Sequence, residues 1–226
     1  MRSFEKVSYS ENLRKLQEFR DWLIQHRIPT AKSRFESIII NMEDINEHYE
    51  THLLNELIKD KGNVHLWYTL MESSAYITVY EMVKSLEDHR IPKRAIRNAL
   101  EGPFLPMDEN SGDKNVNPRN HLFELELAGK LYKKNLKIVG FEDVQFIFDN
   151  YYFHVQCKRL FSKKNISHNI ISAHKQLSTD IRTTNSRGIR FWCKIFTRLK
   201  IAALSPEYQA AIPIILVINS TSKGTD

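Results

Sequence analysis

Apolar residues recur at every third or fourth position through most of the first hundred residues, and the pattern changes to alternation near residue 137. Leu13, Leu16, Phe19 and Leu23 fall on one face of a helix. Phe35, Ile38, Ile39, Met42 and Ile45 do the same for a second. A third helical stretch runs from Val64 to about Leu86, and Pro92 opens a fourth near its start, where a missing amide hydrogen is tolerated. No repeat of fixed period connects them. The pattern predicts an all-helical module over residues 1–101.

Glycine marks where that module ends. Gly62 is the only glycine in the first 100 residues, and Gly102, Gly112, Gly129, Gly140, Gly188 and Gly224 all follow. The stretch 102–118, GPFLPMDENSGDKNVNP, reads as a linker or long loop. Pro118 then precedes RNHLFELELAGKLYKK, a helix of about four turns. Next comes KIVGFEDVQFIFDNYYFHVQCKRL, whose Val, Ile, Phe and Tyr content around an Asp-Asn pair predicts strands and a hairpin. Asn169 to Ile181 has helical spacing, and Ile189–Phe196 and Ile212–Ile218 are candidate closing strands. Helix, strands, helix, strand is an α/β order, with helices able to cover a sheet over residues 119–226.

Composition narrows the class. With 42% hydrophobic residues in 226, the chain can bury a core of one large or two small domains. Two cysteines, Cys157 and Cys193, make neither a disulfide framework nor a zinc spacing. The start lacks the apolar stretch of a signal peptide, and no run reaches the ~18 apolar residues of a membrane span. The expectation is a soluble protein of a reducing, cytoplasmic setting with no membrane partner. Charge adds a partner class. Residues 1–120 hold 17 Lys and Arg against 19 Asp and Glu, whereas residues 121–226 hold 16 against 8. Such asymmetry points the second half toward a polyanion, nucleic acid being the commonest; a merely soluble basic surface is the alternative.

The candidate chemistry lies on the helix after the linker and on the hairpin. On a helical wheel Leu122, Phe123, Leu125, Leu127, Ala128, Leu131 and Tyr132 form a broad apolar arc with Glu124 near its middle, and Glu126 lies opposite beside Lys130. A carboxylate on the core face needs a partner, either a metal or a basic side chain. Folding the hairpin about Asp149-Asn150 pairs 148 with 151 and continues until Asp143 faces Gln156, with Lys158 one step beyond on the same face. Val144, Phe146, Phe148, Phe153, Val155 and Cys157 take the other face, which should be core. Asp143, the Gln156 amide oxygen and Glu124 are oxygen donors of the kind Mg²⁺ accepts. Lys158 can orient or deprotonate an attacking water and offset charge on a phosphate.

FELELA followed by EDVQFIFDNYYFHVQCK resembles the PD-(D/E)XK nuclease superfamily, with its restriction-endonuclease-like fold. The family pattern is a Glu on a leading helix, an Asp at a strand start and (E/Q)-x-K on the next strand. Glu124, Asp143 and Gln156-Cys157-Lys158 match it. Glu142 stands where the family name has Pro, and Gln156 removes one negative charge. The resemblance spans about residues 119–196. It implies an αβββαβ core with a mixed central sheet and Mg²⁺-dependent hydrolysis of phosphodiesters, for which Mn²⁺ can substitute, and it favours DNA over RNA. Glu124, Asp143 and Gln156 would organise the metal. Arg159 follows the motif directly, and Lys175 and Gln176 occupy a helix where similar nucleases place polar residues toward the cleft. Lys163, Lys164, Arg182 and Arg187 are candidate phosphate contacts.

Two other classes stand beside this one. The first is a catalytically inactive nucleic-acid-binding module on the same fold. The second is a helical interaction protein whose residues 1–101 hold a protein partner or a second copy. Arg20 and His26 resemble the R-x4-6-H spacing of helical HEPN ribonucleases. His121, His154, His168 and His174 lack metal-ligand spacing, though His154 shares the face of Gln156. No Walker or G-x-S-x-G pattern occurs.

Overall fold

The structure is a computed structural model that describes residues 8–105, 108, 118–141, 143–149, 151–160, 171, 189–190 and 212–222. Two Ser-x-x-Glu sequences begin the first two helices. Ser8 Oγ accepts from the backbone N–H of Glu11 at 3.1 Å, and Ser33 Oγ accepts from that of Glu36 at 3.2 Å. Each hydroxyl satisfies a backbone donor that the helix itself leaves without a partner. These helices are α1 (Tyr9–Gln25) and α2 (Arg34–Glu50). They are followed by α3 (Leu54–Lys61), α4 (Asn63–Val83) and α5 (Lys93–Leu100). Gly62, at φ 83°, makes the sharp corner between α3 and α4, a backbone conformation glycine adopts at little cost. Helix α3 is short and buries only Leu57, so no apolar stripe announces it in the sequence.

The chain divides into two compact units, Met1–Leu122 and Phe123–Asp226. In the first, all five apolar positions expected of α2 are buried, as are Leu16, Phe19 and Leu23 of α1, while Leu13 is half-buried. Phe19 lies at the centre, 5.3 Å from the Phe35 ring and 5.4 Å from the Tyr80 ring. Each such side chain contributes roughly 1.5–3 kcal/mol on burial. Helix α4 is largely enclosed, with Trp67, Met71 and Ser74 exposed along one side, and its buried Ser and Thr hydroxyls are satisfied within the helix. Thr69 donates to the His65 carbonyl at 2.9 Å and Ser73 to that of Thr69 at 2.6 Å.

A buried charge cluster ties this unit together, and nothing in the helical periodicity announces it. The Glu72 carboxylate lies 3.1 Å from Arg34 Nε and 2.6 Å from Arg119 Nε, all three side chains being almost fully enclosed. Arg34 also donates to the Tyr76 hydroxyl and to the Ala99 carbonyl, and Tyr76 donates to the same carbonyl at 2.9 Å. Arg119 donates to the carbonyls of Pro103 and Phe104. Arg119 stands in the first turn of α6 (Pro118–Tyr132). The start of α6 is therefore built into the helical unit, and the boundary between units falls inside α6, after the expected linker.

The second unit holds the rest of α6 and a five-stranded sheet. Its strands are β1 (Lys137–Gly140), β2 (Val144–Phe148), β3 (Tyr151–Leu160), β4 (Ile189–Arg190) and β5 (Ile212–Ser222). Their order is β1-β2-β3-β5-β4. The architecture is α+β. Every pairing among the described strands is antiparallel, so the mixed sheet implied by the family resemblance is not what these residues form. Strand β5 runs antiparallel to β3 over ten pairs and extends past the expected end at Ile218. The helix expected at Asn169–Ile181 falls outside the described residues except for Ile171, and of the strand expected at Ile189–Phe196 only the first two residues lie within them.

Candidate functional site on the hairpin

The β2–β3 hairpin adopts the register that its alternation requires. Phe148 pairs with Tyr151, Ile147 with Tyr152, Phe146 with Phe153, Gln145 with His154 and Val144 with Val155. Asp149, at φ 48°, has the left-handed conformation that the first position of a tight type I′ turn demands. Val144, Phe146 and Val155 are buried, and Phe146 stacks on Phe153 with ring centroids 4.9 Å apart. A slip of one residue would exchange this apolar set for the polar one. Phe148 departs from the expected core face. It is 56% exposed, at the last position of β2 beside the turn.

One pair beyond Val144 and Val155, the next positions along the two strands are Asp143 and Gln156. The ladder stops there. Asp143 occupies the turn between β1 and β2 at φ 51°, so it ends the loop instead of extending the strand. Aspartate tolerates this conformation better than most residues, yet it is still held in a sparsely populated region. On β3, Gln156 pairs with Leu216 and Lys158 with Ile214, two positions apart on the strand. Asp143 is half-buried.

Glu124 is half-buried and flanks the buried stripe of α6, which follows Leu122, Leu125 and Gly129. This corrects the wheel, which centred the apolar arc on Glu124. The wheel weighs all apolar side chains equally, whereas Phe123, Leu127 and Leu131 are themselves only half-buried. Glu126, expected on the polar side beside Lys130, forms an ion pair with it one helical turn on. Glu124, Asp143 and His154 each interact with another group.

Gln145 escaped the sequence reading. It is the one polar side chain in VQFIF, pairs with His154 across the hairpin, and is half-buried. The irregular β1–β2 pairing sets Gly140 against it, so closely that a Cβ on Gly140 would lie 3.0 Å from the Gln145 amide. The signal was present in the sequence: an amide alternating with Val and Phe, two residues after Asp143. Gln145 and His154 thus lie two levels along the hairpin from Asp143 and Gln156, with the Val144–Val155 pair between.

The expected nucleic-acid contacts divide differently. Arg159 lies on β3 opposite Pro213 of β5. Lys163, Lys164, Lys175, Gln176, Arg182 and Arg187 fall outside the described residues, as do His168 and His174. In the helical unit, Arg20 and His26 do not converge. Arg20 faces Glu36 at 3.4 Å, whereas His26 caps the end of α1, stacks on Trp22 and contacts the Trp22 carbonyl at 2.8 Å.

Comparison with protein-family models, with curated proteins and with solved structures finds no match to this chain. Among the described residues no three His, Cys, Asp or Glu side chains gather in the manner of a metal centre. The donor types expected at the site, two carboxylates and one amide, are all oxygen, of the kind that suits a hard divalent cation that keeps several waters. The same set suits zinc or copper poorly, because it has no imidazole or thiolate. Among the described residues no helix is long and apolar enough to cross a membrane.

Proposed function

We propose that the second unit is a metal-dependent nuclease that hydrolyses phosphodiester bonds, with DNA favoured over RNA, on a core of the PD-(D/E)XK type. The observation that carries this reading is the hairpin register. Asp143, in the turn just before β2, and Gln156, within β3, each lie one position beyond the last β2–β3 pair, Val144 with Val155, and Lys158 lies two residues further along β3. The left-handed backbone at Asp143 adds support, since strained residues cluster where function holds them in place. So does the excess of 16 basic over 8 acidic residues in the half that carries the motif.

In this reading Asp143, Gln156 and Glu124 hold Mg²⁺. The ion supplies Lewis-acid polarisation of the phosphate and a more acidic water. The chain's own residues do the rest. Lys158 orients the attacking water and, as an ammonium, offsets charge on the non-bridging phosphate oxygens. The water oxygen forms the new P–O bond, the ester P–O bond breaks, and the departing oxygen takes up a proton. Gln156 in place of a carboxylate leaves the site one negative charge poorer, which lowers cation affinity and eases the approach of a polyanion.

The test is cleavage of labelled single- and double-stranded DNA and RNA with Mg²⁺ or Mn²⁺, with wild type run beside Asp143→Ala and Lys158→Ala. Cutting that requires metal and disappears in both variants is the expected result. Salt-sensitive binding without cutting in either metal would make the unit a binding module instead.

A further inference from the structure

The helical unit carries a basic surface that the hairpin site does not use. From residue 11 to residue 83 the chain is acidic, with eight Lys and Arg against twelve Asp and Glu. From residue 84 to residue 100 the balance reverses, with Lys84, Arg90, Lys93, Arg94 and Arg97 against Glu87 and Asp88. That segment ends in α5, whose burial is sharply one-sided. Ala95, Ile96, Ala99 and Leu100 face the core, whereas Arg94 and Arg97 are exposed, one turn apart on the outward side. Arg90, four residues before Arg94 on the short 3-10 turn Asp88–Arg90, is exposed as well.

Four other arginines of this unit are matched to carboxylates, Arg14 to Glu11 and Glu18, Arg20 to Glu36, and Arg34 and Arg119 to Glu72, whereas the exposed Arg27 has no ion pair among the described residues. Lys93 faces Asp88 at 3.2 Å. No ion pair of Arg94 or Arg97 is found among the described residues, and Glu101, the acidic group on the same side of the helix, is paired with neither. The platform beneath them is fixed. The Ala99 carbonyl, near the end of α5, accepts from Arg34 at 2.8 Å and from the Tyr76 hydroxyl at 2.9 Å, both fully enclosed. The cationic Arg34 also suits the negative end of the helix dipole. Two exposed guanidiniums without carboxylate partners, one turn apart on an anchored helix, are available to an external anion.

We propose that the outward face of α5, through Arg94 and Arg97, is a second contact for the sugar–phosphate backbone of nucleic acid. The choice of nucleic acid among polyanions rests on the nuclease reading of the second unit. The helical unit then contributes affinity without sequence information, as backbone contacts do.

The experiment measures binding of the full chain to a 30-base-pair DNA duplex in EDTA, where no divalent-dependent cutting intervenes, across a series of salt concentrations. Replacing both residues, R94Q/R97Q, should flatten the slope of log affinity against log salt by about 1.8, or ~0.9 for each phosphate no longer neutralised. R94K/R97K should restore it, since charge is kept. K32Q/K59Q removes two exposed charges elsewhere in the unit and should leave the slope unchanged. An unchanged slope in R94Q/R97Q, or an equal fall in K32Q/K59Q, overturns the proposal. A parallel cleavage assay of the wild type with Mg²⁺ separates the two readings. Cutting with an unmoved slope removes the α5 contact alone, and a flattened slope without cutting removes the nuclease alone.

Discussion

Glu72 and Arg119 meet through a 2.6 Å hydrogen bond inside the helical unit although 47 residues separate them along the chain. The same carboxylate faces Arg34, so one negative charge holds two buried positive ones. Neutralising it should be costly, because both guanidiniums would then remain enclosed without their counter-charge. Glu72→Gln is expected to lose about 3–5 kcal/mol of stability, the range for removing one partner of a buried ion pair. Arg119→Met should lose less, since Glu72 keeps Arg34. Urea unfolding followed by far-UV circular dichroism checks the order, and equal midpoints for wild type and Glu72→Gln would refute it.

Tyr76 gives this cluster a signature in pH. Burial pushes its hydroxyl up to about 12 from an ordinary value near 10, with the adjacent Arg34 pulling the other way. Between those values the folded protein keeps a proton that the unfolded chain has released, so stability is full below pH 10 and falls as pH rises toward 12. A shift of this size corresponds to about 2–3 kcal/mol. Tyr76→Phe should flatten that alkaline limb, while losing about 1 kcal/mol at neutral pH with its hydrogen bond to the Ala99 carbonyl. Thermal unfolding at a series of pH values from 8 to 12 reads both effects. Limbs of equal steepness in the two proteins would assign the alkaline loss to other groups.

What the sequence discloses here follows the distance over which each signal acts. Helices α1 and α2 are legible because a repeated apolar stripe and a Ser-x-x-Glu cap are both local. The hairpin register is legible because Val144, Phe146 and Val155 share a face that a slip would expose. The Glu72 cluster is not, since its partners come from α2, α4 and the start of α6 and obey no common period. Glu124 shows the same limit in the site itself. A helical wheel reports which residues are apolar, but the surface that α6 covers decides which face is buried. The antiparallel run of β5 along β3 was equally out of reach, for strand direction is set by a long connection and not by alternation.

The hairpin's two aromatic ends should behave differently under truncation. Phe146 is buried and stacks on Phe153, so Phe146→Ala is expected to lose about 3–5 kcal/mol through reduced burial and the cavity left behind. Phe148 is one strand position from the turn and mostly exposed, and Phe148→Ala should stay within about 0.5 kcal/mol of wild type. Calorimetric unfolding of the two variants makes the comparison. Comparable losses would mean that Phe148 belongs to the core after all and that the face assigned from alternation holds to the strand's end.

Asp143 allows backbone strain and chemistry to be separated. Its φ of 51° suits glycine and disfavours alanine, which lacks the polar side chain that lets aspartate settle there. Asp143→Gly should therefore be more stable than Asp143→Ala by about 1 kcal/mol, the usual cost of holding a non-glycine residue in this region. Activity should not follow stability. Both variants remove the same carboxylate, so both should lose metal-dependent cleavage by more than the ~10–100-fold typical of an outer-shell partner. Melting temperatures and cleavage rates measured on the same preparations decide the matter. If the glycine variant recovered activity along with stability, Asp143 would act through the shape of the β1–β2 turn, and the metal would have to be held by other oxygens.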